Sequence, residues 1–521
     1  MQKSKFLLLL CLVMAGSFSA RSQTWADNVA TILFNNCVSC HRPSGIAPFS
    51  LLTYTDAYNY RLSIKADVSS RHMPPWPPAD TYVHFAGARV LSSGDINTIV
   101  NWVNNNSPSG NLANAPPAPP PPSNQLGVPD KSLRMPDFIS TASGSDVYQC
   151  FVLPLRLPAA QFLSAIEVIP GDPGIVHHVL VFQDTTPNHA AQQLDIATPE
   201  PGYTNFGGIG VNSAVMMYGW VPGTTTKKLP IIFGQKIYPN SDLVIQVHYP
   251  AGTSGRLDST KVRLYYNTNI AAREVRVDPI LNHFAPTLVN GPLSIPANTV
   301  KTFEEKFTLP VLYTASVLSV APHMHLVGTT LKSFANKPNG DTIRFIDIPK
   351  WDFHWQGQYY FQRPVIVSAG STLRAFATYD NTTNNPSNPN SPPRTVNLGE
   401  STTDEMMLVY FAHTAYQTGD ENIILDSSLI VTGINDPRVF GADLSFFPNP
   451  TNTSLQFRNP HPRDPGRLSV WNMGGQKVME KTISSQEWVT ISTNELAAGA
   501  YLLFYESRQK YYKGKFIVTQ K

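Results

Sequence analysis

The spacing of apolar positions changes along the chain and divides it into regions of different predicted structure. Within residues 24–110 the spacing is helical, at Val29, Ile32 and Leu33 and again at Ile96, Ile99, Val100 and Val103. The second group follows the i, i+3, i+4, i+7 pattern of one helix face. Ser92 or Ser93 precedes it as a candidate cap, because a hydroxyl can accept the free N–H groups of a first helical turn. A small α-helical region is therefore expected here.

From about residue 130 to 433 the pattern is one of short apolar or alternating runs between clusters of Gly, Pro and Asn. Examples are 175–182, 242–250 and 317–328. Many short strands separated by turns predict β-sandwiches. Residues 440–521 again contain short strand-like runs. The proline-rich run 115–123 predicts a stiff, extended spacer between the helical and β regions.

Residues 1–22 have the features of a signal peptide. Lys3 and Lys5 precede the apolar stretch 6–14, and small and polar residues follow it. The apolar stretch is too short to span a bilayer. Cys11 lies inside it, so removal of the leader would leave three cysteines. The sequence thus predicts an exported chain that is soluble and poor in disulfides.

The composition narrows the class of protein. Charged residues make up 14% of the chain, which is low for a globular protein, and aromatic residues at 11% argue against disorder. The formal charge is +3, and loss of Lys3, Lys5 and Arg21 with the leader leaves 36 basic and 36 acidic residues. A nucleic-acid-binding protein would need a basic face, so no nucleic-acid partner is expected.

The motif Cys37-Val38-Ser39-Cys40-His41 is typical of covalent haem attachment. Two thiols at this spacing can each add to a haem vinyl group, and the next residue then places an imidazole on the iron. A disulfide or half of a zinc site are the alternatives, but no further zinc ligands are suitably spaced. Met73 is the best candidate for the sixth iron ligand. His72 competes with it, and Met73 could instead be a core residue.

Several histidines occur in pairs on separate β segments. His177 and His178 are adjacent, and His323 and His325 are spaced i, i+2, which predicts that both point to one face of a strand. His248 stands alone in a third segment. Adjacent strand residues point to opposite faces, so the first pair can share a metal only at a strand end or bulge, or through different ring nitrogens. Imidazole suits Zn, Cu, Fe and Ni.

The order of these motifs resembles that of the copper type II, ascorbate-dependent monooxygenases, the family of peptidylglycine α-hydroxylating monooxygenase and dopamine β-monooxygenase. The resemblance covers roughly residues 130–433. It is carried by four motifs, which are VHHV with His177 and His178, QVHYP with His248, PHMHLVG with His323 and His325, and DEM with Met406. The resemblance implies two jelly-roll β-sandwich domains, each of which holds one copper ion.

The resemblance also implies roles for these residues. His323, His325 and Met406 would hold the copper that binds O₂ and acts on the substrate. His177, His178 and His248 would hold the copper that stores an electron, since two electrons are needed to insert one oxygen atom into C–H. Tyr410 would lie near the substrate, and Gln246 would support the electron-transfer site. His189, His283, His354 and His413 are expected to be structural, with His354 the least certain of the four.

The sequence departs from this family at three positions. Tyr148-x-Cys150 resembles a motif whose cysteine forms a disulfide, but Cys37 and Cys40 are needed for haem, so Cys150 is expected to be a buried free thiol. Ala321 stands where the peptidylglycine enzyme has an arginine that holds the peptide carboxylate. A peptide substrate is therefore doubtful. Val179 replaces the methionine that follows the histidine pair in that enzyme.

The C-terminal runs 446–457, 468–478, 491–503 and 514–518 resemble, in order and spacing, the sorting domain of the type IX secretion pathway. This resemblance implies a small β-sandwich that is recognised by secretion machinery at the outer membrane. The alternative is an ordinary carbohydrate-binding or adhesive β domain.

Together these features predict a multidomain, mainly β, secreted copper monooxygenase with two copper ions and one haem c per chain. Its partners would be a small organic substrate, O₂ and an external reductant, either ascorbate or a redox protein, and the haem would feed electrons to copper. The first alternative is an extracellular c-type cytochrome that carries electrons, with non-catalytic copper-binding β domains. The second is a copper-storage or surface-binding protein. The predicted organisation is a signal peptide at 1–22, a cytochrome c-like domain at 23–113, a linker at 114–125, copper domains at 126–288 and 289–433, and a sorting domain at 440–521.

Overall fold

A computed structural model of the chain describes residues 23–43, 45, 47–119, 126–224, 226–425, 444–472, 477–507 and 510–519. The predicted signal peptide, the end of the proline-rich linker and the predicted boundary between 433 and 440 lie outside these described residues. The backbone divides into two compact units, Met1–Asp426 and Ser427–Lys521. In the part of the chain that the structure describes, no helix is both long enough and apolar enough to cross a membrane.

The first part of the larger unit is helical. A π-helical turn, Trp25–Val29, runs into α1, and the helices are α1 (Ala30–Asn36), α2 (Tyr54–Asn59), α3 (Arg61–Ser69) and α4 (Ser93–Asn104), followed by a 3₁₀ turn at Leu112–Asn114. Ser92 caps α4, since its hydroxyl accepts the Asp95 N–H at 3.0 Å. Val29, Leu33 and Ile99 are fully buried in one core with Trp102. The predicted apolar faces thus pack against each other.

Two five-stranded sheets form the first β-sandwich, with strand orders β1-β11-β4-β8-β12 and β6-β3-β9-β5-β7. The strands are β1 (Lys131–Arg134), β2 (Phe138–Ile139), β3 (Val147–Pro154), β4 (Gln161–Ile169), β5 (His178–Asp184), β6 (Tyr203–Thr204), β7 (Val215–Trp220), β8 (Phe233–Ile237), β9 (Asp242–Tyr249), β10 (Leu257–Asp258), β11 (Lys261–Tyr266) and β12 (Arg273–Glu274), with α5 (Ala190–Ile196) after β5. β9 lies between β3 and β5 and is buried along its whole length. A central strand that is covered on both faces can bury successive apolar residues, as β9 does at Leu243, Val244 and Ile245.

Two four-stranded sheets form the second β-sandwich, with orders β13-β22-β16-β19 and β15-β20-β17-β18. The strands are β13 (Arg276–Asn282), β14 (Ser294–Ile295), β15 (Val300–Thr308), β16 (Ala315–His323), β17 (Gly328–Asn336), β18 (Thr342–Ile348), β19 (Tyr359–Val367), β20 (Thr372–Asp380), β21 (Val396–Asn397) and β22 (Leu408–Ala415), and a 3₁₀ turn at Asp420–Asn422 follows. β13 pairs with β22, so the second sandwich begins at β13, earlier in the chain than the boundary predicted at 288/289. The partner of a strand is a long-range property that local alternation does not reveal.

The helical region is packed against the second sandwich. Phe85 is 3% exposed, and its ring centroid lies 5.4 Å from those of Tyr359 and Phe361 in β19. The Ala86 N–H donates to the Tyr360 carbonyl at 2.8 Å. The helical region thus has a core of its own and also contributes Phe85 to the core of the second sandwich.

The smaller unit is a β-sandwich of its own, with a four-stranded sheet in the order β25-β24-β27-β28 and a two-stranded sheet of β23 and β26. Its strands are β23 (Ser454–Arg458), β24 (Gly466–Asn472), β25 (Lys477–Ile483), β26 (Trp488–Ser492), β27 (Gly499–Ser507) and β28 (Lys510–Val518). Leu455, Phe457, Val470 and Phe516 are buried between the two sheets. The prediction of a mainly β chain built from sandwich sheets is confirmed.

Candidate metal centres and haem cavity

Three imidazole rings meet at one end of the first sandwich. His178 is the first residue of β5 and pairs with His248 of β9, and His177 stands just before the strand. The His177 N–H donates to the His248 carbonyl at 2.9 Å. The adjacent histidines are thus at a strand end, where the chain can turn both rings toward one point.

The geometry of this triad fits one metal ion. The Nδ1 atom of His177 lies 3.2 Å from that of His178 and 3.2 Å from that of His248, and the third separation is 3.4 Å. A ring nitrogen either carries a proton or offers a lone pair, so three in mutual contact cannot all be hydrogen-bonded to one another. Bonds of about 2.0 Å to one tetrahedral ion would separate such nitrogens by about 3.3 Å.

Burial keeps the His177 and His178 rings uncharged. Burial, followed by the neighbouring imidazoles, lowers the pKa of His177 to about 3 and that of His178 well below its usual value. Neutral imidazole is the form that binds a metal ion, so these two rings are in their ligand state at neutral pH. The Tyr148 ring stacks on His248 with centroids 4.3 Å apart and planes 7° apart.

Asp146 supports the triad from behind. Its Oδ2 atom lies 3.2 Å from His248 Nε2, although the contact is not aligned as a hydrogen bond, and it accepts the Thr402 hydroxyl at 2.9 Å. Burial raises the pKa of Asp146, but His248, the Ala251 N–H and Thr402 outweigh it and bring the pKa to about 2. A carboxylate at Nε2 favours the tautomer that leaves Nδ1 free for a metal. The sequence had not indicated Asp146.

The second pair of histidines lies in the second sandwich. His323 is the last residue of β16, and His325 lies in the turn after it, so the prediction of two residues on one strand face is wrong. The turn nevertheless brings the two Nε2 atoms within 3.2 Å. His323 Nδ1 lies 2.6 Å from Gln356 Oε1, and His325 Nδ1 lies 3.2 Å from the Asp404 carbonyl. Since both acceptors favour a proton on Nδ1, the two Nε2 lone pairs face each other.

Burial lowers the pKa of His323 to about 4 and that of His325 to about 3. The two Nε2 atoms, which share no proton, are too few ligands for a metal ion on their own. A third ligand would be needed to complete a metal site here.

Glu405 holds Met406 next to this pair. One carboxyl oxygen of Glu405 accepts the N–H groups of His325 at 2.9 Å and Met406 at 3.2 Å. The other oxygen accepts the N–H groups of Val327 at 2.8 Å and Gly328 at 3.2 Å. The histidine turn and the segment with Met406 are therefore fixed to one side chain, and Met406 is buried there. Burial raises the pKa of Glu405 to about 8, against the four N–H groups that lower it.

Tyr410 and Gln246 lie further from the ring nitrogens. Tyr410 of β22 pairs with Ala321, two residues before His323 on the same face, and burial raises the pKa of its hydroxyl to about 12. The Gln246 side chain is two residues before His248 and donates to the carbonyls of Asn205 and Gly208. It fixes the loop around residues 205–208 to β9.

A cavity of ≈ 460 Å³ lies where the helical region meets both sandwiches. Cys37, Cys40, His41 and Met73 line it from the helical side. His41 Nδ1 lies 3.2 Å from the Phe49 carbonyl, which leaves Nε2 for an iron. The volume, the mainly apolar wall and the two thiols beside an oriented imidazole fit a covalently attached haem. The opposite wall includes His177 of the first triad and His354.

Met73 lines this cavity, whereas His72 is exposed, with Nδ1 3.1 Å from Asp67 Oδ1. We expect Met73→Ala to change the absorption of the haem-loaded protein and to lower its reduction potential, because a thioether ligand raises the potential. Spectroscopy with redox titration measures both. His72→Ala is the control and should leave both unchanged. An unchanged spectrum in Met73→Ala would exclude Met73 as the iron ligand.

All four remaining histidines predicted to be structural have internal partners, and that of His354 is Asp352, 3.2 Å from its Nδ1. His189 Nδ1 lies 2.8 Å from Asp242, His283 Nδ1 lies 3.2 Å from the Met407 carbonyl, and His413 Nε2 lies 3.1 Å from Asp278. His354 is different, because it is exposed and lines the haem cavity.

The structure also describes the surroundings of the three positions that depart from the copper monooxygenase pattern. Cys150 is a buried free thiol whose Sγ lies 3.7 Å from the Gly208 carbonyl, and burial raises its pKa to about 12. Val179 is fully buried in the core of the first sandwich. Ala321 leaves no basic group at its place in β16.

Comparison with solved structures gives only distant likenesses. A DUF3244 family protein with an immunoglobulin-like β-sandwich fold from Bacteroides vulgatus is 20% identical, with 16% of this chain and 88% of that chain covered and a TM-score of 0.14. PNGase F, a glycosylasparaginase from Flavobacterium meningosepticum, is 11% identical, with 55% and 97% covered and a TM-score of 0.25. Likenesses of this size carry no argument about the site.

No curated protein matches the chain significantly. The family profile of the secretion system C-terminal sorting domain matches residues 445–519, which are the smaller β-sandwich. The predicted sorting domain is therefore confirmed, and it indicates recognition by the type IX secretion machinery and export to the cell surface or extracellular space. The C-terminal unit of this chain is a secretion system C-terminal sorting domain.

Proposed function

We propose that this exported protein is a copper-dependent monooxygenase that hydroxylates an organic substrate at C–H with O₂ and draws electrons through a fused haem c. The observation that carries the proposal is the pair of imidazole clusters, in each of which ring nitrogens lie 3.2–3.4 Å from one another. The proposal includes the assignment of both sandwiches to the jelly-roll domains of the copper type II family and of the helical region to a cytochrome c domain.

The residues divide the work between the two clusters. His177, His178 and His248 supply three nitrogens, which suits a copper that only exchanges electrons. His323 and His325 supply two, and Met406 is the proposed third ligand, since a thioether favours the reduced state that meets O₂. Copper bound at these positions would supply the one-electron steps and the O₂-binding position. The overall reaction takes two electrons and two protons, and places one oxygen atom in the substrate and the other in water.

The chain's own groups orient these ligands and exclude water. Asp146, Gln356 and the Asp404 carbonyl each face the ring nitrogen that does not bind metal. Such outer partners fix the ring orientation and strengthen the ligand. The wall that His177 shares with the haem cavity supports a direct supply of electrons from the helical region to the first cluster.

The first experiment is metal analysis of the haem-loaded protein after copper has been offered. Two copper ions and one iron per chain are expected, and His178→Ala and His323→Ala should each remove one copper. Protein with iron alone would contradict the monooxygenase proposal and leave the cytochrome alternative. Consumption of O₂ with a reductant and candidate substrates then identifies the reaction.

Met406 separates the enzyme from an electron carrier. We expect Met406→Ala to abolish hydroxylation, because the copper that meets O₂ would lose the ligand that stabilises its reduced state. Reduction and oxidation of the haem by small mediators should be unchanged in this variant. Tyr410→Phe is a milder comparison, since it keeps the ring and leaves the metal ligands intact. Hydroxylation that survives Met406→Ala would contradict the assignment of the second cluster.

A further inference from the structure

One short segment, Asp352 to Gln356, touches the haem cavity and both histidine clusters. It lies between β18 and β19 of the second sandwich. His354 and Trp355 line the cavity. Gln356 Oε1 lies 2.6 Å from His323 Nδ1. With the preceding Trp351 its sequence is WDFHWQ, which is rich in aromatic residues.

Phe353 fills the space between the clusters. Its ring stacks on His177 with centroids 5.0 Å apart and planes 18° apart. The same ring meets His325 edge-on, with centroids 5.9 Å apart and planes 90° apart. The half-buried Phe353 side chain is thus in ring contact with one proposed ligand of each metal site. An aromatic ring therefore connects the two sites by van der Waals contact.

The neighbouring contacts keep Phe353 in place. The Gln356 amide donates to the Phe353 carbonyl at 2.9 Å, so the residue that orients His323 also closes the segment. The Asp352 carboxylate accepts the His354 N–H at 2.9 Å and lies 3.2 Å from His354 Nδ1. The His354 ring in turn lies edge-on to His177, with centroids 6.3 Å apart.

We propose that Phe353 is the bridge through which electrons pass from the first histidine cluster to the second. The inference rests on the proposed function. With copper bound at both clusters, each transfer would oxidise copper(I) at the first cluster to copper(II) and reduce copper(II) at the second to copper(I). One electron would move, no proton would move, and no bond of Phe353 would change. A haem held in the cavity and reduced by an external one-electron donor would return the electron to the first cluster, and its iron(II) would become iron(III).

The test uses the full chain loaded with haem and copper, reduced with dithionite under argon and mixed rapidly with O₂. Haem absorbance and the copper(II) resonance of freeze-quenched samples report the transfer without any substrate turnover. In Phe353→Leu we expect the rate of haem oxidation to fall on the order of tenfold, because leucine loses the ring contacts with His177 and His325. Displacements of about 1 Å at a site can slow a reaction by at least this much. Copper content, haem spectrum and haem potential should stay as in the unchanged protein. Phe353→Tyr keeps the ring and should restore the rate.

Phe334→Leu is the matched control, because Phe334 of β17 stacks on another phenylalanine, Phe376, with ring centroids 6.0 Å apart, and lies in the sheet that does not contain His323. It should leave haem oxidation unchanged. Oxidation at the original rate in Phe353→Leu with both coppers bound would overturn the bridge and leave the proposed function standing. Should Phe353→Leu lose copper, Phe353→Met takes its place, and the same criterion applies. Haem that O₂ fails to oxidise in the unchanged, copper-loaded protein would refute the proposed electron supply itself, and the bridge with it.

Discussion

Glu405→Ala is expected to lower the free energy of unfolding by about 3–5 kcal/mol. The change removes a buried carboxyl that accepts four backbone N–H groups, those of His325, Val327, Gly328 and Met406. Each buried donor left unpaired costs about 1–3 kcal/mol, and the total is smaller than the sum because water and repacking recover part of it. Urea unfolding of the full chain measures the loss. The same variant should bind less copper at the second cluster, since the carboxyl holds that histidine turn.

Glu305→Gln provides the matched control for Glu405→Ala. Glu305 is also fully buried in the second sandwich, but neither of its carboxyl oxygens has a hydrogen-bond partner among the described residues. The amide has the size of the carboxyl and breaks none of its hydrogen bonds, so the loss of stability should be well below that of Glu405→Ala and copper binding should be unchanged. Equal losses in the two variants would show that burial of the side chain matters, and not the four hydrogen bonds of Glu405.

Glu305 should also make the stability of the protein depend on pH. Burial raises its pKa from an ordinary value of 4.5 to about 9. Between these values the folded chain keeps a proton that the unfolded chain has released. The unfolded state then binds fewer protons, so stability is full below about pH 4.5 and falls as pH rises toward 9, by up to about 1.4 kcal/mol for each pH unit.

Unfolding of the unchanged protein and of Glu305→Gln at a series of pH values isolates this effect. We expect Glu305→Gln to gain stability relative to the unchanged protein as pH rises from 5 to 8, because the amide cannot ionise. Other titrating groups act equally on both proteins and cancel in the difference. A difference that stays constant over this range would mean that Glu305 ionises normally in the folded chain.

Local patterns predicted much of the architecture. Val29, Leu33 and Ile99 form the helical core, and Ser92 is one of the two predicted caps. These features depend on neighbours within one or two turns, so the sequence contains the information they need. The short runs of the β region likewise became strands, because alternation with a buried face is a property of each strand alone.

The partners of those strands could not be predicted in the same way. β13 joins β22 across more than a hundred residues, and Asp146 reaches His248 only because β3 and β9 pair. Glu405 follows Asp404 at the start of an apolar run, so nothing in its local sequence indicated that it is buried. Phe353 gave no signal beyond its aromatic neighbours. Its contacts depend on the way the two sandwiches meet.

The packing of Phe85 constrains how the sequence of this protein can evolve. Its ring is enclosed by Tyr359 and Phe361, so the helical region and the second sandwich cannot vary independently. A larger side chain at Tyr359 or Phe361 would clash with Phe85 unless residue 85 became smaller. Replacing the helical region by an unrelated one would expose the apolar surface of β19 to water. Related chains should therefore show correlated replacements at these three positions, and the two regions should be inherited as one block.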